Sequence, residues 1–184
     1  MLYSKENKMD KPISFIGFKL MSFMFKVRDI LRPRLEVLVE AGIEPGSCIL
    51  DYGCGPGSYI IPLAELVGPS GKIYALDINP LAIKEVKKIV KRRKIENIEI
   101  IESNCDTRLP DSHVNVVLLY DTFHDLSQPD EVLQEIHRVL KPVGALSFSD
   151  HHMNEKDIIA GLTSKGMFKL SKKGSKTYSF SKVG

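Results

Sequence analysis

Cysteine is scarce in this 184-residue chain: Cys48, Cys54 and Cys105 make an odd count without metal-type spacing. That argues against a disulfide framework or structural zinc and for reduced thiols in a cytoplasmic protein. Also missing are a Gly/Ser linker, a low-complexity block and an internal repeat, so one compact domain is expected, with enough length for a sizeable core. A net charge of +3 is too small to imply nucleic acid. The apolar stretch 13–30 is broken by Lys19, has no small-residue cleavage site after it and is too short to span a bilayer, so neither a signal peptide nor a transmembrane segment is expected.

Glycine, by contrast, is concentrated in one place. The run Ile49-Leu50-Asp51-Tyr52-Gly53-Cys54-Gly55-Pro56-Gly57 reads as a buried strand ending in a turn, and 58–67 reads as a helix. Three glycines in such a turn remove the Cβ atoms that would block a ligand. A helix beginning just beyond it aims unpaired N–H groups and a partial positive charge at a carboxylate or phosphate. The next apolar run ends at Asp77, where an adjacent strand would offer a carboxylate to two ribose hydroxyls. A tight loop with no ligand is the plain alternative. A nicotinamide or flavin fingerprint needs a third glycine where Ser58 stands, so the G-x-G-x-x-G spacing is not met.

With Asp51 in front, the turn resembles motif I, D-x-G-x-G-x-G, of the class I S-adenosylmethionine-dependent methyltransferases. The resemblance runs from about Gly46 to Val183. The segment 104–110 is similar to the one that holds the adenine edge, 114–120 to the fourth strand, and 135–144 to the helix and R-V-L-K-P-G-G turn before strand five. The nearest branch is the small-molecule one that includes the ubiquinone/menaquinone C-methyltransferases. The resemblance implies S-adenosylmethionine as cofactor and S-adenosylhomocysteine as product. It implies that Gly53, Cys54, Gly55 and Gly57 line the methionine and ribose side, that Asp51 orients that loop or reaches the amino group, that Asp77 binds the ribose hydroxyls, and that Ile78 packs on the adenine. Cys105 and Asp106 would meet the adenine amino group, and Tyr120 would lie near the reacting methyl. Three positions depart from the pattern: Asn115 replaces Asp, Val143 replaces a glycine, and the adenine-side carboxylate stands one residue late, at Asp106 rather than at Cys105. The first two serve the scaffold.

Strands and helices alternate as 72–77, 80–93, 97–102, 114–120, 129–139, 144–149 and 154–164, with turn signals at Ser70-Gly71, Asn79-Pro80, Gln128-Pro129 and Lys141-Pro142. This predicts an α/β fold with a mostly parallel sheet covered by helices on both faces. The runs 167–170 and 177–180 flank a hairpin, which agrees with the family's seven-stranded Rossmann-like sheet and its antiparallel last strand. The cofactor domain is expected at 47–184. Residues 1–46 form a helical extension in which Ile16, Leu20, Phe23, Val27 and Ile30 recur near helical spacing. It reads as a helix packed on the sheet, as a lid over the acceptor, or as a membrane-surface or partner-binding helix.

Asp121, His124 and Asp125 follow strand four, and Asp150, His151 and His152 follow strand five, so all six belong to the carboxyl edge where open α/β sheets bind ligands. His124 or His151 could act as a general base. The same residues could clamp a divalent ion for a diol-like acceptor, but no contiguous ligand motif supports one, and no metal ligand is assigned. Simple hydrogen bonding between the loops is the plainest account. His113 and His137 read as structural. The basic stretch 84–94 shares its helix with Ile83, Val86, Ile89 and Val90 on one face, the mark of a solvated outer helix. Tyr120-Asp121-Thr122-Phe123 stands where amino-directed nucleic-acid methyltransferases carry [DNS]-P-P-[YFW]. A small-molecule, possibly apolar acceptor is therefore expected, with no nucleic acid; a homodimer and a non-catalytic cofactor-binding scaffold stay open.

Overall fold

The computed structural model describes Ser14, residues 16–20, Ser22, Met24 and 34–184. A short helix, α1 (Leu35–Glu40), leads to β1 (Cys48–Tyr52), α2 (Ile60–Val67), β2 (Lys72–Asp77), α3 (Pro80–Arg93) and β3 (Ile98–Glu102). The second half runs β4 (Val114–Tyr120), a 3-10 turn at Phe123–Asp125, α4 (Pro129–Val139), β5 (Leu140–Ser149), α5 (Glu155–Thr163), β6 (Phe168–Lys173) and β7 (Tyr178–Lys182). Strand order is β3-β2-β1-β4-β5-β7-β6 in one seven-stranded sheet. The β1–β2, β2–β3, β1–β4 and β4–β5 pairs are parallel, and β7 is antiparallel to both neighbours.

Local chemistry sets the element ends. Asn79 caps α3 by accepting from Leu81 N–H at 3.0 Å, Pro80 fills the first helical position, and Lys94 closes the helix in the left-handed region. α4 begins at Pro129 with Asp130 and Glu131 in its first turn and ends with His137 and Arg138, complementing the helix dipole at both ends. α2 starts at Ile60 rather than at 58, because the glycine turn extends through Tyr59. β5 starts at Leu140, earlier than the expected 144: Leu140 already pairs with Val114, and residues 141–144 bulge away before pairing resumes at Ala145 opposite Val116.

Alternation along the strands divides the core between two faces. Leu50, Tyr52, Val117, Leu119, Leu146 and Phe148 meet α4 and α5, while Ile49, Ile73, Val116, Leu118 and Tyr120 meet α1 and α2. α3 joins the second face through Val86 beside Cys54, Ile60 and Ala75. Asn115 accepts from Cys48 N–H and from Lys141 Nζ, both at 3.0 Å, and Val143 is 94% exposed. The Asn115 contacts tie β4 to β1 and β5, whereas the Val143 side chain projects from the surface.

Of the 13–30 stripe, Ile16 and Leu20 are exposed, with Met24, whereas Phe18 and Ser22 are buried. The described part of the stripe therefore faces outward rather than into the core; Phe23, Val27 and Ile30 lie outside the described residues. No described helix is long and apolar enough to cross a membrane.

Candidate active site

The strand order reverses at β1, whose neighbours β2 and β4 carry the chain to opposite sides. The turn after β1 therefore opens into the crevice at the carboxyl edge. Gly53, Gly55 and Gly57 all take positive φ, at 77°, 52° and 88°. At Gly53 a Cβ would collide with Thr122, and at Gly57 it would come within 2.9 Å of Ile89 Cδ1. At Gly55 nothing lies within 4 Å of that direction. Two glycines are thus forced by packing, and the third faces open space.

Asp77 ends β2 with its carboxylate turned into this crevice. Oδ2 accepts from Gly55 N–H and Oδ1 from Asn79 N–H, each at 2.8 Å. Burial raises its pKa against the lowering effect of these bonds. Asp51, on β1, is 2% exposed and its Oδ2 has no hydrogen-bond partner. Burial, with the Asp77 charge second, pushes the Asp51 carboxyl up to about 7. A buried acceptor without a donor is costly within a fold and suits a site that a ligand completes. Cys54 is buried in the same turn, and desolvation raises its thiol well above the ordinary range, so it packs rather than reacts.

The adenine-side segment is tied to this turn through β1: Tyr52 Oη donates to Asn104 O at 2.9 Å. Ile78 is half-buried beside Asp77, and Cys105 is half-buried. Asp106 is exposed, and its Oδ1 accepts from Arg108 N–H at 2.9 Å, so its carboxylate shapes its own loop. Glu135 holds the same loop by accepting from Thr107 N–H at 2.9 Å while Arg138 pairs with it. Burial would raise the Glu135 carboxyl, but these donors outweigh it and hold it at about 2.

Tyr120, at the end of β4, is 7% exposed, with its ring 5.2 Å from that of Tyr59 and its hydroxyl 2.7 Å from Ser147 Oγ on β5. Desolvation drives its pKa far up, so it offers a neutral phenol and a ring face, not a base.

Beyond it, two Asp–His pairs cross between neighbouring loops. Asp150 Oδ2 accepts from His124 backbone N–H at 3.1 Å and from its Nδ1 at 2.8 Å. Asp121 Oδ1 accepts from His151 backbone N–H at 3.1 Å and from its Nδ1 at 2.7 Å. Each loop gives one acid and one imidazole to the other. An ionised carboxylate only accepts, so each Nδ1 is the donor of its pair, while His124 Nε2 lies 3.4 Å from Asp125 Oδ2. Burial would raise Asp150, but the His124 ring and the His152 and His124 N–H groups more than compensate, and its pKa is lowered. His113 and His137 lie apart, on Tyr74 Oη and Val183 O, as structural residues would.

The sequence did not disclose Thr122 and Ser147, whose roles depend on long-range packing. Nor did it disclose Glu40, which accepts from the N–H groups of Ser175, Lys176 and Thr177 at 3.1, 3.0 and 3.0 Å. The pairing of Phe148 with Tyr178 places that β6–β7 turn at the carboxyl edge. A cavity of about 620 Å³ beside Gly68, Arg93 and Asn97 lies at the opposite end of the sheet, away from these groups.

Residues 43–180 match a family model described as a methyltransferase domain. The chain is 31% identical over 147 residues to a demethylmenaquinone methyltransferase of Geobacillus stearothermophilus, covering 78% of this chain and 63% of that protein. It is 28% identical over 153 residues to one of Listeria welshimeri, covering 82% and 65%. It therefore spans just under two thirds of the length of these curated relatives. Its fold superposes on a crystal structure of a SAM dependent methyltransferase from Aquifex aeolicus with a TM-score of 0.73 at 26% identity, over 89% of this chain and 98% of that one. With the glycine turn, Asp77 and the sheet order in place, the chain belongs to the methyltransferase-domain family.

Proposed function

We propose that this protein transfers a methyl group from S-adenosylmethionine to a small-molecule acceptor. The observation that carries the reading is the pairing of an open glycine turn with a buried carboxylate, Asp51, and a half-buried one, Asp77, at the strand-order reversal. Gly55 leaves room for close approach, and Asp51 keeps an unpartnered oxygen. These features suit the bound cofactor: Asp51 for the methionine amino group or the loop that receives it, Asp77 for the ribose hydroxyls, Gly53, Cys54, Gly55 and Gly57 for the chain between them. Ile78 would face the adenine, and Cys105 and Asp106 its amino group.

S-adenosylmethionine supplies an already activated methyl on a sulfonium. The chain must then align the acceptor, exclude water and accept any proton the acceptor loses. Tyr120 would give a ring face near the transfer. His124 is the better-held base of the two: its side chain is 23% exposed against 67% for His151, and its Nδ1–H is fixed by an acid with no exposed side-chain surface. The residues 47–184 would form the cofactor domain. The outward stripe of Ile16, Leu20 and Met24 supports a lid role for 1–46, over an apolar acceptor of the kind named in the demethylmenaquinone methyltransferases it resembles.

The test is incubation with methyl-labelled S-adenosylmethionine and a host extract separated into lipid, small-molecule, RNA and protein fractions. Label in the lipid or small-molecule fraction is expected. Label confined to RNA or protein, or none despite measured cofactor binding, would overturn the reading.

A further inference from the structure

The crossed Asp–His pairs gather more ligand atoms than joining two loops requires. Asp121, Asp150 and His151 each bring one metal-ligand atom to within 4.8 Å of the others. The Asp150 side chain is fully enclosed, that of Asp121 is 28% exposed and that of His151 is 67% exposed, so the cluster is closed below and open above. A carboxylate has about four lone-pair sites, and Asp121 uses one oxygen for both bonds from His151, which leaves capacity on that carboxylate. The His152 ring is tilted against both neighbours, its centroid 3.9 Å from that of His151 and 4.2 Å from that of His124. His124 meanwhile holds Asp150 from behind, the arrangement by which outer groups orient metal ligands.

We propose that Asp121, Asp150 and His151 form a binding site for a divalent ion of the first transition row. Two carboxylates balance its charge, and the mixed oxygen and nitrogen set suits Mn²⁺, Fe²⁺ or Zn²⁺ better than soft Cu⁺ or the all-oxygen shell of Ca²⁺. Bonds of about 2.0–2.2 Å place adjacent ligand atoms roughly 3.0–3.4 Å apart. The His151–Asp121 contact of 2.7 Å then opens by about 0.3–0.7 Å, and the wider gaps among the three ligand atoms, all within 4.8 Å, close on the ion. Where Nδ1 is the ligand atom, its hydrogen moves to Nε2 and the ring stays neutral. The remaining coordination positions face the exposed side of His151, at the edge where the acceptor enters. An acceptor with adjacent oxygens could bridge the ion there; this use, unlike the site itself, rests on the methyl-transfer reading. His124 stays outside the ligand set, with Nδ1 on Asp150 and Nε2 3.4 Å from Asp125.

The experiment is titration of chelator-treated full-length protein with Mn²⁺, read by loss of the free-ion electron paramagnetic resonance signal, and with Zn²⁺, read by calorimetry. Asp121→Asn and His151→Gln are compared with the parent, with melting temperature and S-adenosylhomocysteine affinity measured in parallel. The expected result is one ion per chain, bound at least tenfold more weakly by both variants, whose melting and cofactor affinity stay near those of the parent. Absence of saturable binding up to millimolar ion, or binding unchanged in both variants, overturns the site. Methyl transfer unaffected by chelation, alongside no metal binding, would sink this inference alone; metal binding without any methyl transfer would sink the functional reading alone.

Discussion

Asp51 carries a carboxylate that the fold encloses without fully satisfying. Its ordinary pKa of 3.8 is raised to about 7, chiefly by burial. Between those values the unfolded chain ionises while the folded one stays protonated, so this group's contribution to stability is full below about 3.8, falls as pH rises, and is lost above about 7. Asp51→Asn should therefore raise the melting temperature at pH 8 and leave it nearly unchanged at pH 4; equal shifts at both would refute the assignment. The same variant should weaken S-adenosylmethionine binding about tenfold or more, the loss of a charge-assisted contact. Asp77 differs, since its oxygens already hold Gly55 and Asn79. Asp77→Ala should cost about 1–2 kcal/mol of stability as well as most of the cofactor affinity, because two backbone donors lose their acceptor. Calorimetry showing parent-like affinity would defeat the ribose role.

Between elements, Glu40 joins α1 to the β6–β7 turn by accepting from three successive backbone N–H groups and from the Ser175 and Thr177 hydroxyls. Burial would raise its carboxyl, but the converging donors dominate and hold it at about 2, below its ordinary 4.5. The contribution is present above about 4.5 and lost as pH falls toward 2. Glu40→Gln should lower stability by about 1 kcal/mol at neutral pH, with the difference from the parent shrinking in acid. Chemical denaturation at pH 7 and pH 3 measures both; a difference that grows in acid would contradict the clasp. This joint was not legible in the sequence, because the partners lie far apart along the chain and only the sheet order brings them together. The regular elements were legible: apolar periodicity and the signals Asn79-Pro80 and Gln128-Pro129 fixed α3 and α4 at the residues expected. The start of β5 was not, since Lys141-Pro142-Val143 reads as a turn until Leu140, ahead of it, is seen to pair with Val114.

At the scale of the whole molecule, a parallel sheet whose order reverses at β1 gathers the ends of β1, β2, β4 and β5 on one edge. The glycine turn and Asp77 were legible there because their chemistry is local: positive φ and a strand-end acid leave a mark in spacing. The crossed pairing of Asp121 with His151 and Asp150 with His124 was not, because two acids and two imidazoles admit either pairing until the register of β4 against β5 is known. Since the cofactor would bridge β1, β2 and the 104–110 segment, it should stabilise the fold as a unit. Ligand at one hundred times its dissociation constant adds about 2.7 kcal/mol. For a chain of this size each kcal/mol moves the midpoint by roughly 2–4 °C, so S-adenosylhomocysteine should raise the melting temperature by about 5–10 °C. NAD⁺ at the same concentration should not, because Ser58 stands where its fingerprint needs the third glycine. Thermal shift measurements on the parent and Asp77→Ala decide the point. Stabilisation by NAD⁺ alone, or a shift that survives Asp77→Ala in full, would mean that the edge holds something other than the methyl donor.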